Sequence, residues 1–574
     1  MRIYLATLLL AGCAPSYKPT LSDARPKEIT DLSPLSHSQI GSQKFLMQGE
    51  IENAVIAYLD SSRLGKPHDT ATLKKIAKEQ ILQGVRSRNE GLQLLSIFAI
   101  SMSQSEELIT CLEEAVESPH PQVALAAMRS LAAFNTDKAA RAIQSALRSN
   151  YLGLRIEASF LLAEQKRIDA ADQIEALMHK CPEPALGLFA HLFAKGGSCH
   201  DLALLAQLMS HSSPYIRSSA ILAAAGFERR SLEKNLLAAL THTHPLETEA
   251  AAFATGHLRL EEGFERLSAL TKSPSPAVRF AAWCALEKLG NKEALGEIVS
   301  LATKGDLFAI QALGSHPSAE GILEELLNSH DPDAAMNAAL SLLHLKNPKG
   351  LPLLAKLLAS PGVGFAEHHL PAHSDRCFVR APIHSKGLEK NPGLIHSTLT
   401  FKQQVVALCL QLPESDFFPF IDMLIQTENS ESISLAADAL AMRGSEECIS
   451  KLDHLRQRPG APWLRMRCAL ALYKITRDIK YLNEVKTWLF ANIDREIIEL
   501  MPYGQDTAQL AREFSGHSRH ELRPSETSAL LVEAWMTLAH SESDAGLNLI
   551  LEATAQSPFE SRLVLAGLLM KALQ

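Results

Sequence analysis

The chain holds 574 residues, more than one hydrophobic core usually organises, so it must contain several domains or a repeat array that adds core piecewise. Hydrophobic residues make up 46% and aromatics only 6%, and the apolar content is mostly Leu and Ala, which suit helices better than strands. With a formal charge of -8 and no long basic run, the sequence lacks the phosphate-neutralising surface that nucleic-acid partners require.

In chain order, Met1-Arg2 leads into an apolar run from Ile3 to Leu10, then Ala11, Gly12 and Cys13, after which the chain turns polar and rich in Pro and Ser. That order predicts a secretory signal over residues 1–12. The run is about ten residues long, far too short to span a bilayer as a helix. Leu10-Ala11-Gly12-Cys13 resembles the lipobox of bacterial lipoproteins, and the resemblance implies that the Cys13 thiol is acylated and becomes the first mature residue. Ala14 follows; in lipoprotein families the absence of Asp there implies release toward the outer membrane. The implied location is the bacterial cell envelope, lipid-anchored and facing the periplasm. A cytoplasmic protein with a frayed apolar N-terminus and Cys13 as an ordinary thiol is the other reading. Residues 13–38, with Pro15, Pro19, Pro26 and Pro34, read as a tether with a reach of about 25 to 30 Å.

Residues 39–89 read as an N-terminal helical cap. Within it, Gln48-Gly49-Glu50-Ile51-Glu52-Asn53-Ala54-Val55-Ile56-Ala57-Tyr58, closing at Pro67, resembles the turn and second helix of a tetratricopeptide repeat.

From Pro121, steps of 31 residues land on Leu152, Glu183, Pro214, Pro245, Pro276 and Leu307, with similar surroundings at most stops. Six past each anchor stand Ala127, Ala158, Phe189, Ala220, Ala251, Ala282 and Leu313. Two past, the position is usually apolar. Such offsets fall on one face of a helix, and Leu or Ala six before each anchor belongs to a preceding helix. Each unit is therefore a helix, a short turn and a second helix, with Pro in the turn. The pattern covers 90–361 and resumes over 398–493, and 494–574 reads as a divergent C-terminal helical cap.

Pro276-Ala277-Val278-Arg279-Phe280-Ala281-Ala282-Trp283-Cys284-Ala285-Leu286 resembles the second helix of HEAT repeats, especially the short kind found in bilin lyases. The resemblance implies an all-α fold, a right-handed α-solenoid of HEAT-like hairpins (an α-α superhelix), with a groove formed by the second helices and open to protein partners.

Three groups of residues compete for functional roles. Arg155, Arg217, Arg279 and Arg465 each stand three past an anchor and would stack as a ladder, either gripping acidic partners or, as the HEAT resemblance implies, tying units together. The repeat is broken at 362–397 by a His-rich stretch, read as an insertion loop. His369, His373 and Cys377 are four apart there, and on a helix they would face one way as zinc ligands. Pro371 and Pro382 argue against that helix, leaving a solvated or partner-contacting loop as the alternative. The remaining cysteines fall singly, and Cys284, Cys409 and Cys468 sit in Ala/Leu helices as small hydrophobes.

No phosphate loop, dinucleotide fingerprint, nucleophile elbow or His-Glu-x-x-His motif occurs. The expected function is a non-enzymatic, membrane-tethered scaffold for protein partners, with no cofactor and no nucleic acid. The alternatives are a metal-dependent or bilin-lyase-like enzyme using the groove or the His-rich stretch, and a cytosolic assembly adaptor.

Overall fold

The computed structural model describes residues 37–62, 68–165, 171–360, 363–370, 376–382, 392–427, 429–459, 462–498, 501–502, 520–521, 526–541 and 543–574. The signal over 1–12, Cys13, the tether as far as residue 36 and His373 lie outside them. The fold is an all-α helical solenoid, interrupted among the described residues by two small antiparallel sheets. None of the described helices is long and apolar enough to cross a membrane. The described residues divide into two units, one of 37–165 with 476–502 and 520–574, the other of 171–475.

The helical hairpin expected from the 31-residue period is the building block. Cys199–Met209 turns into Pro214–Gly226, Glu233–Ala239 into Pro245–His257, and Phe264–Leu270 into Pro276–Lys288. Proline opens each of these second helices at the position where its missing N–H costs nothing. The turn before it is fixed by one side chain. Ser118, Ser149, His211, Ser273 and Ser329, each three before the first residue of the following helix, accept a hydrogen bond from the backbone N–H two residues on.

Six of the second helices also end in the same way. Gln104, Asn135, Gly197, Glu228, Arg259 and Gly290 all have left-handed φ between 40° and 86°, and they fall on one 31-residue grid whose missing point, residue 166, is outside the described set. A left-handed residue after the last turn lets the chain fold back and satisfies the orphaned carbonyls of the helix.

In the second unit the second helices pack flank to flank, while most first helices meet mainly their own partners. Small side chains permit this: the Cβ that Gly256 lacks would fall 2.5 Å from Ala285 Cα. Guanidinium groups then cap the neighbouring unit. Arg229 donates to the Ala194 and Lys195 carbonyls at 2.6 and 3.1 Å, and Arg230 to Leu258 at 2.8 Å.

The first unit joins segments from opposite ends of the sequence. Phe559–Ala572 lies against Thr70–Val85 and Glu90–Ser103, and Ser543–Gln556 packs on Ile51–Ser62. Leu563, Val564, Leu565, Leu568 and Leu569 are almost wholly buried there. Approach is close enough that a Cβ on Gly567 would sit 2.4 Å from the Ala99 carbonyl oxygen. Gln574 Nε2 donates to the Ser103 carbonyl at 2.9 Å. The C-terminal stretch read from sequence as a divergent cap is thus core for the helices near the N-terminus.

Candidate interaction surface

On each second helix the side chains one and five residues past its first residue lie one helical turn apart on the same face, and some side chains of this row reach solvent. In Glu183–Gly196 and Pro214–Gly226 that row includes Leu188, 38% exposed, and Tyr215, 68% exposed. In Pro332–His344 the same two positions carry Asp333 and Asn337, and there the row is occupied.

Its occupant comes from the His-rich stretch. The loop expected over 362–397 is corrected by the structure: β1, Val363–His369, pairs antiparallel with β2, Arg376–Pro382, and the helix Pro392–Cys409 starts inside the same stretch. Asn337 Nδ2 donates to the Phe378 carbonyl at 2.7 Å while its Oδ1 accepts the Phe378 amide at 3.1 Å. Asp333 Oδ1 accepts the Arg380 amide at 3.1 Å. The outer edge of β2 is therefore satisfied by helix side chains, and the Phe365 amide on β1 is satisfied by Thr398 Oγ1 at 2.9 Å. Phe401 stacks on Phe365 at 3.9 Å and meets Phe378 edge-on at 5.4 Å.

This geometry separates the candidate zinc ligands. Residues four apart share a face on a helix, but β1 and β2 pair His368 with Cys377 and His369 with Arg376, so His369 and Cys377 point to opposite faces of the hairpin. Cys377 is buried and its Sγ donates to Gln311 Oε1 at 3.3 Å. His369 Nε2 instead lies 3.1 Å from Glu367 Oε1, beside Arg376 Nε at 3.0 Å. Among the described residues no group of three His, Cys, Asp or Glu side chains is placed to hold a metal ion. Burial pushes the Glu367 carboxyl up against the pull of His369, and burial likewise raises Asp333 against the Arg380 amide.

Three of the four arginines of the ladder turn back onto their own turns. Arg155 Nη1 donates to the Ser149 carbonyl at 3.0 Å, Arg217 Nη1 to His211 and Ser212 at 2.5 and 2.7 Å, and Arg279 Nη1 to Ser273 and Pro274 at 2.7 and 3.0 Å. Each clamps the turn that precedes its own helix. Arg465 occupies the equivalent position on Pro462–Thr476. Arg217 also reaches the next unit, where its Nη2 pairs with Glu247. Glu247 stands where most units carry an apolar residue, and its side chain is 1% exposed. Burial alone would raise its pKa, yet hydrogen bonds from Arg217 and His242 outweigh that and hold the carboxyl below its usual range. Burial pushes the Cys409 and Cys468 thiols up to about 12, which disfavours their thiolates.

Asn337, Asp333, Gln311 and Thr398 were not singled out by sequence. Asn337 carried a signal, an amide set among Ala334, Ala335, Met336, Ala338 and Ala339.

Residues 233–308 match the family model described as HEAT repeats. No curated protein matches the chain. Among solved structures, Kap121p is 10% identical with a TM-score of 0.33, covering 92% of this chain and 76% of that one. A homology model of the full-length AP-3 complex is 13% identical with a TM-score of 0.30, covering 91% and 94%. An engineered protein is 17% identical with a TM-score of 0.23, covering 75% and 99%.

Proposed function

We propose that this HEAT-repeat chain is a non-enzymatic scaffold, tethered to the bacterial envelope through Cys13, that binds protein partners along the open part of its second-helix row. One observation carries the reading. The row already holds an extended strand by its backbone at Asp333 and Asn337, and the equivalent positions bearing Leu188 and Tyr215 face solvent with large apolar groups. Exposed apolar side chains on a rigid array are the usual material of a protein contact.

The tether rests on Leu10-Ala11-Gly12-Cys13. Its placement at the outer membrane, facing the periplasm, rests on Ala14 in the same motif.

Pull-downs from membrane extracts test the partner site by comparing the wild-type chain with a Leu188→Ser, Tyr215→Ser double variant. A specific partner retained by the first and lost by the second is expected; an unchanged set of captured proteins would refute the site. Fractionation of cells expressing Cys13→Ser tests the tether, with release from the membrane expected and continued retention decisive against it.

A further inference from the structure

In the first unit, the helix Ile51–Ser62 and the turn before it, together with Thr70–Val85, Ser543–Gln556 and Phe559–Ala572, enclose a cleft of about 330 Å³. That lies at the lower end of the ~300 to 1,000 Å³ of small-ligand sites. Its wall includes Gln80, which is 3% exposed and has no hydrogen-bond partner among the described residues. Buried amides are normally paired, and the neighbours of Gln80 on the buried face of its helix, Ile76, Ala77 and Ile81, are apolar. The amide therefore has only the cleft to address.

Arg562 lines the same cleft. Its Nε is fixed to the Ser557 carbonyl at 2.7 Å, and its Nη1 meets Glu52, a side chain 70% exposed and so readily exchanged. Nη2 has no partner among the described residues. Val55, Ile56 and Phe559 supply an apolar wall.

We propose that this cleft binds the carboxy-terminal end of a peptide chain. A guanidinium suits a carboxylate. A primary amide offers the donor and acceptor that complement a peptide group, and the apolar wall takes the last side chain. Arg562 would hold the carboxylate, Gln80 the last peptide bond. The site is separate from the second-helix row and does not depend on the tether.

The test titrates the full-length chain calorimetrically with N-acetyl-L-alanyl-L-leucine, with its C-terminal amide, and with free L-alanyl-L-leucine. The acid is expected to bind, with the amide at least about tenfold weaker. Gln80→Leu should weaken binding of the acid roughly tenfold, about 1.4 kcal/mol, while the melting temperature holds, because the amide opens to the cleft and ties no other described residue. Tighter binding of the free dipeptide supports the proposal and identifies short peptides as the source, through Glu50 and Glu52 reading the ammonium. Equal or tighter binding of the acetylated probe supports it with a protein tail as the source. Equal binding of acid and amide overturns it, as does no binding of the acid at millimolar concentration. A lower melting temperature in Gln80→Leu would make the residue structural and also overturn the proposal.

Discussion

Asn337 and Phe378, 41 residues apart in sequence, exchange two hydrogen bonds that dock a strand on a helix. Asn337→Leu keeps the volume but orphans a buried N–H and a buried C=O, at about 1 to 3 kcal/mol each. We expect a loss of about 3 kcal/mol in urea denaturation and faster hydrogen exchange at the Phe378 amide. Wild-type stability in this variant would mean that the hairpin is held by its aromatic contacts alone.

Removing Arg217 leaves the buried Glu247 carboxylate without its guanidinium and with His242 still bound to it. Arg217→Met should cost up to about 3 kcal/mol, and adding Glu247→Leu should recover much of it, because the penalty comes from a buried charge that has lost its permanent countercharge. The pH dependence has a definite sign. Glu247 is held below its usual 4.5 in the folded chain, so its contribution is present above pH 4.5 and disappears as pH falls through the lowered value. Stability curves of Glu247→Gln should lack that acid-side decline, and an identical decline in variant and wild type would remove Glu247 as its source.

Gly567→Ala tests the packing of the C-terminal helix. The new methyl would meet backbone, 2.4 Å from the Ala99 oxygen, so relief requires a helix to shift. A loss of about 1 to 3 kcal/mol is expected, with limited proteolysis opening first within residues 70–103. Protection there equal to wild type would contradict the contact.

At Arg259 the opposite sign holds. Its exposed side chain sits on a left-handed residue with φ of 54°, where an L side chain costs about 1 to 2 kcal/mol. Arg259→Gly should raise stability by about 1 kcal/mol after the extra flexibility of unfolded glycine is counted. A lower melting temperature would show that the Arg259 side chain does something for the fold that its exposure hides.

The helical hairpins were legible because their causes are local. Pro214, Pro245 and Pro276 punctuate the chain and apolar offsets mark the faces. The turn side chains Ser118, Ser149, Ser273 and Ser329 were visible too, once their hydrogen bonds gave them meaning. The β-hairpin was obscured by its histidines, which suggested ligands. Phe365, Glu367 and His369 alternate with Gly364, Ala366 and His368 in the two-residue period of a strand, but neither set is cleanly apolar. The docking of Phe559–Ala572 left no local trace, since Gly567 acquires its purpose only from Ala99, 468 positions earlier.

That last separation also orders events during biosynthesis. At about 5 to 20 residues per second, a ribosome needs roughly half a minute to a minute and a half between making Ala99 and making Gly567. Throughout that interval the apolar faces of Thr70–Val85 and Glu90–Ser103 lack the helix that will cover them. Residues 70–103 therefore wait for their native packing until Phe559–Ala572 has left the ribosome.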